Sequence, residues 1–342
     1  MITEIRYKNF KALRDVTLPL GRFTLIVGAN GTGKTTAMNS LNILKNPDKP
    51  SWREIASVDS NADGNTVISW VTENIIYHET WNSKGYVNRY EKNESTSQNT
   101  HETILEALEK SFEEIGKKPI LNSVIFSFDA QKIVEPVSVR PNIELSEDGT
   151  GLAGVLDQLR DSEPERFEEL NRELESWLPE FDRILFETPK DGTKAFLLRT
   201  KIGKHKIKAK DLSDGTRLAL AYLTLAYLPN PPQIVAFEEP ERGIHPRLLR
   251  NIQEAMDRLA YPENYGEKRE PVQVIATTHS PYLLDLYKDR REEIVIADKD
   301  ENGVHFERLV NLPNIEKILQ EQDAPLGDVW FSGVLGGVPA QL

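Results

Sequence analysis

Gly28-Ala29-Asn30-Gly31-Thr32-Gly33-Lys34-Thr35 matches the phosphate-binding loop pattern G-x-x-x-x-G-K-[ST] at every fixed position. Its flanks decide how it is read. Before it, Phe23-Thr24-Leu25-Ile26-Val27 is a short apolar run of the buried-strand type. After it, Thr36 opens a stretch with apolar residues at Ala37, Met38, Leu41 and Leu44, the spacing of a helix face. Strand, glycine loop and helix in that order let backbone N–H groups and the positive helix end converge on a phosphate. Residues 28–36 are therefore expected to bind ATP. Lys34 should reach the β- and γ-phosphates, and the Thr35 hydroxyl should help hold Mg2+.

Working outward, residues 1–27 alternate in the manner of strands and predict a β-rich N-terminal lobe. Phe10 reads as core, with contact of Phe10 or Lys11 to adenine as the less favoured alternative. Residues 45–120 read as a variable insertion. Between 60 and 101 it is polar, with strand-like pieces such as 66–71, and 102–115 has helical spacing. Ser123 to Phe128 returns to a strand. Residues 145–190 predict a small helical subdomain, with Ser162 and Glu165 as a capping box between two amphipathic helices. Phe196–Leu198 and the lysines from Lys201 to Lys210 predict a hairpin. A lysine-guarded edge is favoured there over a nucleic-acid contact.

Three later segments complete the pattern. Ser213 and Gly215 lie at the start of an apolar helix, where a hydroxyl and a close backbone favour an anion. The apolar run Ile234–Phe237 ends in Glu238 and Glu239. Strand geometry places Glu238 near the metal and leaves Glu239 to polarise the attacking water. His245 reads as a helix-entry residue before Pro246. The apolar run Val272–Thr278 leads to His279, at the carboxyl edge of the sheet where it can meet the γ-phosphate or the water.

Taken together, the four motifs resemble an ABC-type ATPase head of the SMC, RecF and OLD kind, and most of all the stand-alone AAA15/AAA21 ATPases related to OLD proteins. Glu238-Glu239-Pro240-Glu241, Gly243-Ile244-His245-Pro246 and Thr278-His279-Ser280-Pro281 are typical of that group. The resemblance covers residues 1–310. It implies an α/β P-loop NTPase fold with a β-rich N-terminal lobe and a small helical insertion. Two departures stand out: Glu238 replaces the usual Asp of ABC proteins, and Asp214 replaces the Gly of transporter signatures. Gln131 is the nearest candidate for a metal-contacting glutamine.

The resemblance further implies a homodimer closed head to tail around two ATP molecules. Each nucleotide would lie on the loop of one subunit and be covered by Ser213 and Gly215 of the other. It also suggests control of a separately encoded effector, such as a TOPRIM-like nuclease in anti-phage defence. The alternatives are a DNA-repair or chromosome-maintenance ATPase that grips DNA, and a transporter ATPase subunit. An OLD-type nuclease domain is not expected, because the chain ends too soon after His279, and Asp298 to Gly303 reads as a hairpin turn. Residues 311–342 are expected to form a docking or assembly tail, with Trp330, Phe331 and Leu335 as apolar anchors.

Composition narrows the classes. The absence of Cys excludes disulfides and thiolate metal sites, and a net charge of −12 argues against a uniformly basic surface. The opening residues lack the pattern of a secretory signal, and no apolar run is long enough to span a membrane, so a cytoplasmic protein is expected.

Overall fold

A computed structural model describes residues 1–45, 50–57, 65–73, 75–82, 84–92, 122–138, 140–189, 192–301, 303–322 and 324–336. The helix expected at 102–115 lies outside them. The chain divides into two units. The first holds Met1–Ile125, Gln233–Ala236 and Gln273–Leu342; the second holds Phe126–Pro232 and Phe237–Val272.

The first unit contains two sheets. Strands β1 (Ile2–Phe10), β2 (Leu13–Pro19), β4 (Thr66–Thr72), β5 (Ile75–Asn82) and β6 (Gly85–Lys92) form an antiparallel sheet ordered β2-β1-β4-β5-β6. Its buried face carries Phe10, stacked 5.8 Å from Tyr7, so Phe10 belongs to the core. Strand β4 forms where 66–71 reads as strand-like, and β5 and β6 stand where the sequence reads as largely polar. Glu79 explains much of the difference: it sits on the buried face and accepts hydrogen bonds from the Tyr77 hydroxyl at 2.7 Å and the Tyr86 hydroxyl at 3.0 Å.

The second sheet is ordered β15-β14-β3-β13-β12-β7. Its members are β3 (Phe23–Val27), β7 (Ser123–Phe126), β12 (Ile234–Glu238), β13 (Gln273–Thr278), β14 (Ile294–Asp300) and β15 (Gly303–Arg308). Parallel pairing sets β3 between β13 and β14, which is why β3 is buried at all five positions. Strand β14 continues through Asp298 and Lys299 to Asp300, which pairs with Gly303, so the turn to β15 is tighter than the sequence predicts.

Helix α1 (Lys34–Lys45) buries Ala37, Met38 and Leu41 in the same core as the antiparallel sheet. The Tyr7 hydroxyl donates to the Ala37 carbonyl at 3.1 Å and ties β1 to this helix. Gln273, buried at the start of β13, donates to the carbonyls of Ile2 (2.6 Å) and Gly21 (2.8 Å) and accepts from the Ile2 N–H at 2.9 Å. A short turn, α2 (Trp52–Ile55), follows the insertion's start.

In the second unit, α3 (Ala130–Ile133) and β8 (Val137–Ser138) precede α4 (Leu152–Ser162) and α5 (Pro164–Trp177). The expected capping box does not form. Helix α4 continues through Ser162, whose hydroxyl donates back to the Gln158 carbonyl at 2.8 Å, and Glu163 takes the cap position before Pro164. Strands β9 (Phe181–Glu187), β10 (Thr193–Thr200) and β11 (Lys206–Lys208) make the expected hairpin and one strand more. Three of its lysines are ion-paired: Lys201 with Glu175 at 2.6 Å, Lys208 with Glu187 at 3.4 Å, and Lys204 with Asp182. Hydrogen bonds from Arg199 and Lys204 hold the Asp182 carboxyl down at about 2. Helices α6 (Asp214–Ala226) and α7 (Leu249–Ala260) complete the unit.

The first unit closes with α8 (Pro281–Asp285), α9 (Ile315–Gln322) and α10 (Leu326–Phe331). In this last stretch Trp330 and Leu335 are buried, whereas Phe331 is 68% exposed.

Candidate phosphate-binding site

The loop after β3 is shaped by its neighbours. Val27 pairs with Thr278 of β13 and Ile296 of β14, and the Gly28 N–H donates to the Thr278 carbonyl at 3.4 Å. A Cβ on Gly28 would lie 2.3 Å from the Ala297 carbonyl oxygen, so a side chain is excluded at the position where the chain leaves the sheet. Gly31 (φ 84°) and Gly33 (φ 83°) adopt the left-handed backbone that turns the loop. Gly33 is further hemmed in by Leu13 and Val304, whose side-chain carbons would lie 3.0 and 3.1 Å from an added Cβ, closer than ordinary van der Waals contact.

Lys34 opens α1 with its side chain buried, and its ammonium donates to the carbonyls of Gly28 (2.6 Å) and Ala29 (2.8 Å). A cation is thus held inside the loop by two backbone carbonyls. Thr32 donates its hydroxyl to the Ala29 carbonyl at 2.9 Å, which closes the turn. Asn30 and Thr35 are exposed and Thr36 is half-buried, so the Thr35 hydroxyl stands open in the first helical turn. A buried ammonium at the loop and an exposed threonine one residue on are groups that suit a triphosphate with a divalent cation, and these residues fit both.

His279 is the first residue beyond β13. Since Thr278 pairs with Val27, His279 and Gly28 occupy equivalent places on adjacent parallel strands. The structure therefore brings His279 and the loop to one edge of the sheet. The next residue, Ser280, caps α8, accepting the Leu283 N–H at 3.4 Å.

The other candidates lie in the second unit or at its border. Ser213 caps α6 by accepting the Thr216 N–H at 3.2 Å, and both Ser213 and Asp214 are exposed. A Cβ on Gly215 would meet only the Gly243 carbonyl, at 3.5 Å, so the start of this 13-residue helix is open. Strand β12 ends at Glu238. Glu239 then turns the chain with φ 47°, a left-handed conformation that costs a non-glycine residue roughly 1–2 kcal/mol. Its carbonyl accepts the Arg242 N–H at 2.8 Å, which holds the turn. His245 accepts the Arg247 N–H at 3.2 Å through Nδ1, the helix-entry role its position predicts. Gln131 is exposed in α3. Among the described residues no group of three His, Cys, Asp or Glu is placed to hold a metal ion, and no helix is long and apolar enough to cross a membrane.

Sequence reasoning missed Arg217. It is buried beneath the start of α6 and donates to the carbonyls of Lys210 (2.6 Å) and Ala130 (3.4 Å) and to Asp214 (3.1 Å). The available signal was a single arginine in an apolar helix. Arg217→Ala should orphan these carbonyls and cost about 2–4 kcal/mol in urea unfolding. A change below about 0.5 kcal/mol, the size of an ordinary surface substitution, would contradict this role.

Over 53 residues, 16% of this chain and 10% of the relative, the sequence is 43% identical to the OLD nuclease of Thermus scotoductus. The chain thus corresponds to a small part of that protein. An SMC head solved with the C-terminal winged-helix domain of ScpA shares the fold, with a TM-score of 0.57 over 92% of this chain and 99% of the other at 16% identity. The ATP-bound form of RecF in another solved structure overlaps 82% of this chain and 93% of its own, with a TM-score of 0.40 and 14% identity. The AAA_15 family model, an AAA ATPase domain, matches residues 1–150. The AAA_21 family model, an AAA domain, putative AbiEii toxin of a type IV toxin–antitoxin system, matches residues 89–285, more than half of the chain. The chain belongs to the AAA_21 family of AAA domains and shares the α/β fold of the SMC head.

Proposed function

We propose that the protein is an ATP-driven switch in which two copies close head to tail around two ATP molecules. Lys34 and the loop 28–36 bind the phosphates. Thr35 and Glu238 hold Mg2+, whose charge assists phosphoryl transfer when bound. Glu239 orients and polarises the attacking water, and His279 contacts it or the γ-phosphate. Ser213 and Gly215 of the second copy cover the same nucleotide. The observation that supports this reading is the start of α6: Ser213, which caps the helix, is exposed, and a Cβ on Gly215 would meet only the Gly243 carbonyl, so a helix N-terminus is accessible to an anion brought by another molecule. Closure is then a ligand-driven shift between two arrangements.

The output of the switch is a separately encoded effector, a nuclease in anti-phage defence, with the exposed Phe331 of the C-terminal stretch as a contact. Gripping DNA directly is the alternative. The ion pairs of Lys201, Lys204 and Lys208 tell against the basic hairpin as its contact surface. A salt-sensitive, ATP-dependent DNA shift would favour that alternative.

Composite sites are tested by mixing. Ser213→Arg protein and Lys34→Ala protein should each be inactive alone. Mixed as equal partners, they should regain one working site per heterodimer. If proven heterodimers recover no ATPase activity, the two halves do not act across subunits.

A further inference from the structure

We propose that Leu326–Gly336 is a positioning element of the ATPase centre, one that holds the chain on both sides of the phosphate loop. This rests on the reading of His279 given above. Helix α8 follows directly from His279 and Ser280 and has only five residues. So short a helix cannot hold itself. Its support is α10. A Cβ on Gly327 would lie 2.4 Å from the Pro281 carbonyl oxygen, so the two backbones touch. The Gly327 N–H donates to Asp285 Oδ1 at 2.7 Å, and Leu326, Val329 and Trp330 are buried.

The same segment then reaches the other flank. A Cβ on Gly336 would lie 2.8 Å from a carboxylate oxygen of Asp298. Asp298 follows Ala297, whose carbonyl oxygen fixes the closest approach of Gly28. Strands β13 and β14 lie on either side of β3. One segment therefore contacts the helix that follows β13 and a residue of β14 itself. It touches neither the loop nor His279 through any bond described above, so its effect on chemistry must pass through α8 and β14.

Two variants test this. Gly327→Val forces α10 off Pro281. Asp285→Ala removes the acceptor of the Gly327 N–H and serves if the first variant does not fold. Steady-state ATPase kinetics, ATP affinity by calorimetry and hydrogen exchange of the peptide spanning 279–286 are measured on each. The expected result is a kcat lower by on the order of 10- to 100-fold, the size of a small misplacement, with ATP affinity within about twofold of wild type. Exchange in 279–286 should rise. Combined with His279→Ala, either variant should add little further loss, because both act on one group. Wild-type kcat in a folded variant would overturn the proposal, as would losses that multiply with that of His279→Ala. If the wild-type protein itself shows no ATP hydrolysis, the ATPase reading fails separately. The brace is then judged on exchange alone, and unchanged protection of 279–286 refutes it.

Discussion

Lys34→Ala should weaken ATP binding at least about 100-fold. The ammonium makes charge-assisted hydrogen bonds, each worth about 1.5–3 kcal/mol, and two of them to phosphate oxygens account for a loss of that size. The protein also holds this ammonium in the loop through the Gly28 and Ala29 carbonyls. Removing the ammonium leaves both carbonyls without that donor, so the variant's fold is checked before binding is read. Calorimetry with ATP and Mg2+ on the folded variant reads the effect. Wild-type affinity would mean that the nucleotide binds elsewhere.

Glu239→Gln should keep ATP binding and lose about 10²–10⁴ in turnover, the usual contribution of a positioned base. The substitution retains shape and removes charge. The backbone supports the assignment: Glu239 occupies a left-handed conformation at the end of β12, and non-glycine strain of this kind clusters at functional sites. The neighbouring Glu238 continues the strand without such strain. Glu238→Gln should therefore act through Mg2+ dependence rather than through the water. Normal hydrolysis by Glu239→Gln would move the base to another residue.

Much of this site was legible because its parts are local. The phosphate loop, the α6 cap at Ser213 and the strand ending at Glu238 each declare themselves within about ten residues, and the structure forms each where the residues place it. What shapes the loop was not legible. Ala297, Leu13 and Val304 come to Gly28 and Gly33 through sheet pairing of distant strands, and nothing in their local sequence marks them. Strand β5 was obscured by Glu79, a carboxylate where the alternation calls for an apolar side chain, made tolerable by two tyrosine hydroxyls. Ser162 misled for the opposite reason. Its spacing to Glu165 fits a cap, yet the preceding helix keeps the hydroxyl for Gln158. The C-terminal stretch showed its apolar anchors but not their division: Trp330 and Leu335 are buried, whereas Phe331 and Val334 are exposed.

The central claim is that ATP joins two copies of this chain. Glu239→Gln protein, which should bind ATP and fail to hydrolyse it, allows the most direct measurement: sedimentation velocity with and without ATP and Mg2+. Adding ATP should shift the protein from monomer to dimer, with no shift when Lys34→Ala or Ser213→Arg is also present. Identical sedimentation with and without ATP, in protein shown by calorimetry to bind it, would contradict the account.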